Sequence, residues 1–389
     1  MPVMTVRILI AGMDGYLGWS LAMSLAKRGH EVIGADNYSR RRNVEEVGAW
    51  SAVPIASMDE RLTTFEKTYG KEIEFCEGDL TDYHFVRGVV KRHKPDTIVH
   101  LGEQPCAPYS MIDVHHAVYT QTNNIVGTLN ILYAIHETSP PTHLLKLGTM
   151  GEYGTPNIDI PEGFFEIEYR GRKDKLPFPR FAGSWYHWTK VHDTGNIMFA
   201  CKIWGLRSTD IMQGVVYGTR TDEMTDDTLL TRFDFDEVWG TAINRYCAQA
   251  VIGHKLTPYG KGGQTRGFIA LRDSIQCLTI AAENPPDKGE YRVFNQFDRC
   301  YNVTELALKV KEAGDRLGLN VKIEHIDDPR IEAEEHYYNP ECVKLRKLGF
   351  KPSHEIEEEL ELTLNDLMKH KDRIAAKKDK IMPKPYWRM

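Results

Sequence analysis

Val6 to Ala11 form an apolar run that leads directly into Gly12-Met13-Asp14-Gly15-Tyr16-Leu17-Gly18, and an amphipathic segment follows to Arg28 before Gly29. Such a run fits a strand buried on both faces. The glycines allow a tight turn and close approach of a ligand, and the next helix offers its N-terminal amides and positive dipole end to an anion. A glycine triplet alone is a weak signal. Here a second strand, Glu31 to Ala35, ends in Asp36, a carboxylate spaced to accept hydrogen bonds from an adenosine ribose. The unit therefore reads as a dinucleotide fold in which Gly12, Asp14, Gly15, Tyr16 and Leu17 surround a pyrophosphate. Asp36, Asn37 and Arg40 would face the adenosine. Asp36 would repel a 2'-phosphate and so favours NAD over NADP, although Arg40, Arg41 and Arg42 argue the other way.

The alternation continues with Glu72 to Glu77, Asp79-Leu80, a helix to about His93, and the strand Asp96 to Leu101 running into Gly102-Glu103-Gln104. A long helix from about Asp113 carries Asn123-Asn124, and Leu144 to Leu147 delivers Gly148-Thr149. Repeated βα units predict a doubly wound parallel sheet of the α/β class, with its ligand beyond the carboxyl ends of the strands. Gly12, Asp36, Asp79, Gln104 and Thr149 all fall at that end, and Leu80 and Asn123 are expected to join the cofactor contacts. A chain of 389 residues suggests a large domain plus a smaller one. The NAD domain is expected over 1–212 with about 266–297, and the substrate domain over 213–265 and 298–389. A net charge of -6 offers no basic field for nucleic acid. Neither a span of about 20 apolar residues nor a leader is evident, so a soluble cytoplasmic protein is expected. Seven scattered cysteines without Cys-x-x-Cys or zinc spacing point to no metal.

Tyr186-His187-Trp188-Thr189-Lys190 is the reactive stretch. Ser184 is a fitting N-cap, the helix runs to Trp204 before Gly205, and Tyr186 and Lys190, four apart, share one face. A lysine ammonium and an oxidised nicotinamide nearby would favour the phenolate, making Tyr186 a base for a sugar hydroxyl. The pair alone is generic; Thr149 and the strand-end residues supply its context. Between Gly154 and Ser184 lies an insert of about 30 residues, read as a functional lid or a disordered stretch. Within it Phe164 to Tyr169 and Lys175 to Phe178 are expected to pair as a hairpin around Arg170-Gly171-Arg172-Lys173. After Gly218 an acidic stretch runs to Asp236, with a helix near Val238 to Gly253. Tyr259 to Gly267 is a donor-rich loop, and Arg266 and Arg330 suit a pyrophosphate.

With the glycine motif, Thr149, Tyr186 and Lys190 in that order, the chain resembles the extended short-chain dehydrogenase/reductase family that acts on nucleotide sugars. The likeness covers nearly the whole chain. It is carried by Gly102-Glu103-Gln104, Ala107 to Asp113, Lys146 to Asp159, Gln213 to Gly218, Tyr259 to Gly267 and Arg330 to Asn339. It implies a branch that acts on UDP-glucose and sulfite with NAD regenerated in each turnover, in a homodimer or larger homo-oligomer. Tyr186 would take the carbon 4 hydroxyl proton, Thr149 would orient that oxygen and Lys190 would hold the nicotinamide ribose. Val216 joins the cofactor contacts, and Gln213, Asn244, Thr257, Tyr259 and Gln264 join Arg266 and Arg330 at the sugar nucleotide. The related 4,6-dehydratases carry Asp-Glu directly after the threonine, where this chain has Met150-Gly151. Glu152 and His187 are therefore expected to serve as acid and base in the elimination. Plant-type members have an arginine after Gly-Glu-Gln, where Pro105-Cys106 stand here, which puts a sulfite contact at that position in doubt. Arg170, Arg172, Lys173, Lys175 and Arg180 form a basic cluster with two readings, a solvated turn or a field that steers sulfite. Two readings compete: an epimerase or dehydratase working without sulfite, and a non-catalytic NAD-binding sensor.

Overall fold

The computed structural model describes residues 5–328 and 337–382. Its strands are β1 (Arg7–Ala11), β2 (Glu31–Asp36), β3 (Ile73–Glu77), β4 (Thr97–His100), β5 (His143–Thr149), β6 (Phe164–Tyr169), β7 (Arg172–Pro177), β8 (Arg207–Gln213), β9 (Val215–Tyr217), β10 (Thr265–Ala270), β11 (Tyr291–Gln296) and β12 (Arg299–Asn302). The helices are α1 (Tyr16–Lys27), α2 (Ser39–Glu46), α3 (Met58–Tyr69), α4 (Tyr83–His93), α5 (Ala107–Ser110), α6 (Val114–Gln121), α7 (Gly127–Thr138), α8 (Trp185–Trp204), α9 (Ala242–Val251), α10 (Leu271–Glu283), α11 (Val303–Arg316), α12 (Lys344–Lys347), α13 (Ile356–Met368) and α14 (Lys371–Ala375).

Seven strands form a parallel sheet in the order β11-β8-β5-β4-β1-β2-β3. Alternation along β1 explains the layering. Ile8 and Ile10 pack with Leu17, Leu21 and Leu25 of α1, whereas Leu9 and Ala11 pack on the other face with Val86 of α4, Ile131 of α7 and Ile197 of α8. Burying each large side chain contributes about 1.5–3 kcal/mol. Strand order reverses between β1 and β4, so the connections leaving these two strands diverge and open a crevice at their carboxyl ends. A small sheet, β12-β10-β9, is packed with α9, α11 and α13. It closes the crevice from the other side.

Four expectations need correction. The interval 266–297 divides: α10 and β11 join the large sheet, but β10 pairs with β9 and β12 in the small one. The long helix from Asp113 is two α-helices joined by a π-helical turn, Thr122–Val126. That turn aims Asn124 inward, where its Oδ1 accepts from the Gln104 amide at 2.8 Å and its Nδ2 donates to Thr189 Oγ1 at 2.9 Å. The helix expected near Val238 starts only at Ala242, capped by Thr241, because Asp236 accepts the amides of Val238 and Trp239 in a separate turn. The hairpin in the insert forms as β6 and β7, but its turn is only Arg170-Gly171, both at positive φ.

Candidate active site

A cavity of about 910 Å³ lies at the carboxyl ends of the large sheet, roofed by the loops and helices of the small one. At one end is the glycine turn. A Cβ on Gly18 would lie 2.1 Å from the Gly12 carbonyl oxygen, and one on Gly12 would lie 2.6 Å from the Gly102 amide nitrogen, so only glycine allows this packing. Helix α1 begins at Gly15 with no side-chain cap and no acidic residue in its first turn, which leaves its amides to an anion. Tyr16, Leu17, Asp36, Asn37, Arg40, Asp79, Leu80, Asn123 and Val216 also line the cavity. Asp36 accepts from the Asp14 and Tyr38 amides, and burial, with Asp14 beside it, pushes its carboxyl up to about 6. Each neighbouring arginine has a partner, although Nε and Nη1 of Arg40 make no hydrogen bond. Arg40 pairs with Asp234 at 2.6 Å, Arg41 holds both oxygens of Asp14, and Arg42 donates to the Asn37 carbonyl.

At the centre stand Thr149, Tyr186, His187 and Lys190, all lining the same cavity. Ser184 caps α8 as expected, and the Tyr186 amide donates to Ser110 Oγ, which fixes the start of the helix against the α5 segment. Thr149, the last residue of β5, accepts from the Gly151 amide at 3.1 Å, leaving its hydroxyl hydrogen to be donated. Lys190 Nζ donates to the Leu147 carbonyl at 2.6 Å, lies 2.9 Å from Glu103 Oε2 and sits 5.9 Å from the centre of the Tyr186 ring. His187 Nδ1 is 3.0 Å from Ser184 Oγ. Its ring fills the space beside Gly151, where a Cβ would come within 2.4 Å of Nε2. The expected effect of Lys190 on Tyr186 is not found in the protein alone. Burial, then Glu103 and Glu152, push the phenol well above its ordinary value, with Lys146 opposing.

Four assigned residues stand apart from this lining. Glu152 is buried behind the wall, paired with Lys146 at 3.3 Å and with Arg180, and it closes a capping box on Thr149. Against the burial that would raise it, Lys146 and Arg180 hold its carboxyl below the usual range, so it is a fixed anion and not an accessible acid. Asp14 turns inward to Arg41 and Arg61. Gln104 spends its side chain on Thr120 Oγ1 and the Cys106 backbone. Thr257 pairs with Gln249. Arg330 lies outside the described residues.

At the far end Gln213, Asn244, Tyr259, Gln264 and Arg266 line the cavity. Arg245, whose guanidinium lies 5.0 Å from the Tyr259 ring centre, lines it too and was missed, as were Glu103, Arg232 and Trp239. An arginine inside the otherwise uncharged helix 242–251 was the available signal. Cys106 also faces the cavity, its thiol donating to the Val238 carbonyl and pushed by burial up to about 12, so it stays neutral. The β6–β7 hairpin does not line the cavity; Arg170, Arg172 and Lys173 are exposed on it, while Arg180 is committed to Glu152 and Thr194.

The model of the NAD dependent epimerase/dehydratase family matches residues 8–192. The chain is 56% identical over 384 residues to a UDP-sulfoquinovose synthase of Sulfolobus acidocaldarius, covering 98% of each chain. It is 51% identical to the chloroplastic UDP-sulfoquinovose synthase of Spinacia oleracea, over 98% of this chain and 79% of that one. Among solved structures, UDP-glucose 4-epimerase from Bifidobacterium longum with NAD+ and UDP superposes with a TM-score of 0.68 at 18% identity, covering 96% of this chain and 99% of that one. The fold is thus that of the epimerases, while the sequence likeness is to the synthases over nearly the full length of the chain. The chain belongs to the NAD dependent epimerase/dehydratase family and, within it, to the UDP-sulfoquinovose synthases.

Proposed function

We propose that the protein converts UDP-glucose and sulfite to UDP-sulfoquinovose, with NAD recycled in each turnover. The observation that carries this reading is the 56% identity to a synthase across 98% of the chain. NAD fits the residues present: an uncapped α1 N-terminus behind the glycine turn, Asp36 with three committed arginines beside it, and Lys190 next to Tyr186. When bound, it accepts a hydride from carbon 4 of the sugar and later returns it.

Tyr186 takes the carbon 4 hydroxyl proton, Thr149 donates a hydrogen bond to that oxygen, and Lys190 holds the nicotinamide ribose. The resulting ketone acidifies the carbon 5 proton, and water leaves from carbon 6. His187 is the cavity-lining group for that proton transfer, since Glu152 is walled off. Sulfite adds to the exposed methylene as carbon 5 takes back a proton, and Tyr186 gives its proton back as carbon 4 is reduced. Arg266, Tyr259, Gln264, Asn244 and Gln213, with Arg330, bind the UDP portion. A homodimer through α6, α7 and α8 is supported by exposed Val114, Val118, Tyr133, Phe199 and Ile203 on those helices. A cytoplasmic setting is proposed; no helix of the described residues is long and apolar enough to cross a membrane.

The test is to incubate the protein with UDP-glucose, with and without sulfite, and weigh the products. The expected result is a sulfonated UDP-sugar only when sulfite is present. An epimer or a 4-keto-6-deoxy sugar nucleotide formed without sulfite would overturn the reading.

A further inference from the structure

Glu103 follows β4 in a stretch with no regular structure, lines the cavity beside Lys190, and is almost fully buried. Neither of its oxygens accepts a well-aligned hydrogen bond. Its neighbours are Lys190 Nζ at 2.9 Å and His100 Nε2 at 3.5 Å. A buried carboxylate with so little compensation is a poor stabilising device, because desolvation of both charges offsets most of their attraction. Its position on the reactive lysine therefore points to a part in the chemistry.

The other charges around this point leave Glu103 as the partner of Lys190. From α8, Asp193 is buried, and burial, then Glu103, push its carboxyl well above the ordinary range. From β5, Lys146 is shared between Glu152 and Asp210. From β4, burial lowers His100 to about 4, which leaves it neutral. Cys106 is likewise neutral. Lys190 and Glu103 thus form a pair of zero net charge beside the Tyr186 ring.

Resting on the reaction proposed above, we propose that Glu103 is a positioning residue for proton transfer at carbon 4: it ties Lys190 to the Leu147 carbonyl and cancels its charge, so that Tyr186 can hold a proton as well as release one. The reaction needs both. In the outward half the carbon 4 hydroxyl proton passes to the Tyr186 oxygen as the hydride leaves. In the return half the same proton goes back to the carbon 4 oxygen as the hydride returns. A tyrosine beside an uncompensated ammonium would be a good base and a poor acid. The pair with Glu103 balances the two.

The experiment compares Glu103→Gln, which keeps the shape and removes the charge, with Glu103→Asp, which keeps the charge. In NAD-loaded protein, the near-ultraviolet phenolate absorbance of Tyr186, read as a difference against Tyr186→Phe, should titrate about one pH unit lower in Glu103→Gln than in the wild type. With UDP-glucose and no sulfite, the pH limb of cofactor reduction should move the same way, and more reduced cofactor should accumulate in the steady state when sulfite is added. Glu103→Asp should return both limbs toward the wild type. Unmoved limbs in Glu103→Gln, or equal shifts in both variants, would overturn this inference alone. Absence of cofactor reduction in the wild type would sink the parent reading and this one with it.

Discussion

Tyr186, Lys190 and Thr149 share one small volume because α8 and β5 deliver them from opposite sides. Tyr186→Phe and Lys190→Ala remove the proton acceptor and its neighbouring charge without opening a large cavity in the core. Each is expected to reduce turnover by about a hundredfold or more, with circular dichroism unchanged; near wild-type turnover in either would remove it from the mechanism. Asp36 gives a pH dependence. Its carboxyl, raised to about 6, is charged and a good acceptor above that pH and protonated below it. NAD affinity, followed by calorimetry, should therefore fall as pH drops from 7 to 5, with Asp36→Asn flat over the range. Arg266→Ala should weaken UDP-glucose binding by about 1.5–3 kcal/mol, the range for a hydrogen bond to a charged group. These residues were legible because each signal is local: a glycine spacing, a strand end, two positions four apart. Glu152 and Asp14 lie off the cavity lining because their side chains are held by Arg180, Arg41 and Arg61, charges that no local pattern ties to them.

The segment 178–183 shows how an element acquires a role. Phe178, Pro179, Phe181, Ala182 and Gly183 line the cavity, while Arg180 between them turns inward to Glu152, Thr194 and the Tyr153 ring. The wall of the site is thus bolted to the turn that follows Thr149. Arg180→Met would leave a buried carboxylate with one partner fewer, and a loss of about 3–5 kcal/mol is expected in urea denaturation; an unchanged midpoint would mean that the bolt carries no load. The exposed hairpin beside it has no such bond. Neutralising Arg170, Arg172 and Lys173 together should leave the Michaelis constant for sulfite unchanged at any ionic strength, and a rise at low salt would restore the steering idea. Long periodic elements such as α1, α4 and α8 were readable from their caps and spacing. The small sheet was not, since β9, β10 and β12 are short and mix parallel with antiparallel pairing.

For the whole molecule, the apolar side chains left outside on α6, α7 and α8 matter most. Val118 is 57% exposed and Phe199 61%. Replacing both with glutamate is expected to convert a dimer to a monomer in light scattering, and an unchanged mass would exclude this face. The order of the large sheet has another consequence. On the ribosome β5 emerges with one edge bare, since its partner β8 arrives roughly 60 residues later, a wait of about 3 to 12 s at ordinary elongation rates. That edge carries Leu144 and Leu145, wholly buried in the finished sheet. A nascent chain paused between Ser184 and Gly205 therefore presents an apolar strand with one unpaired edge, a target for chaperones that the completed sheet no longer offers.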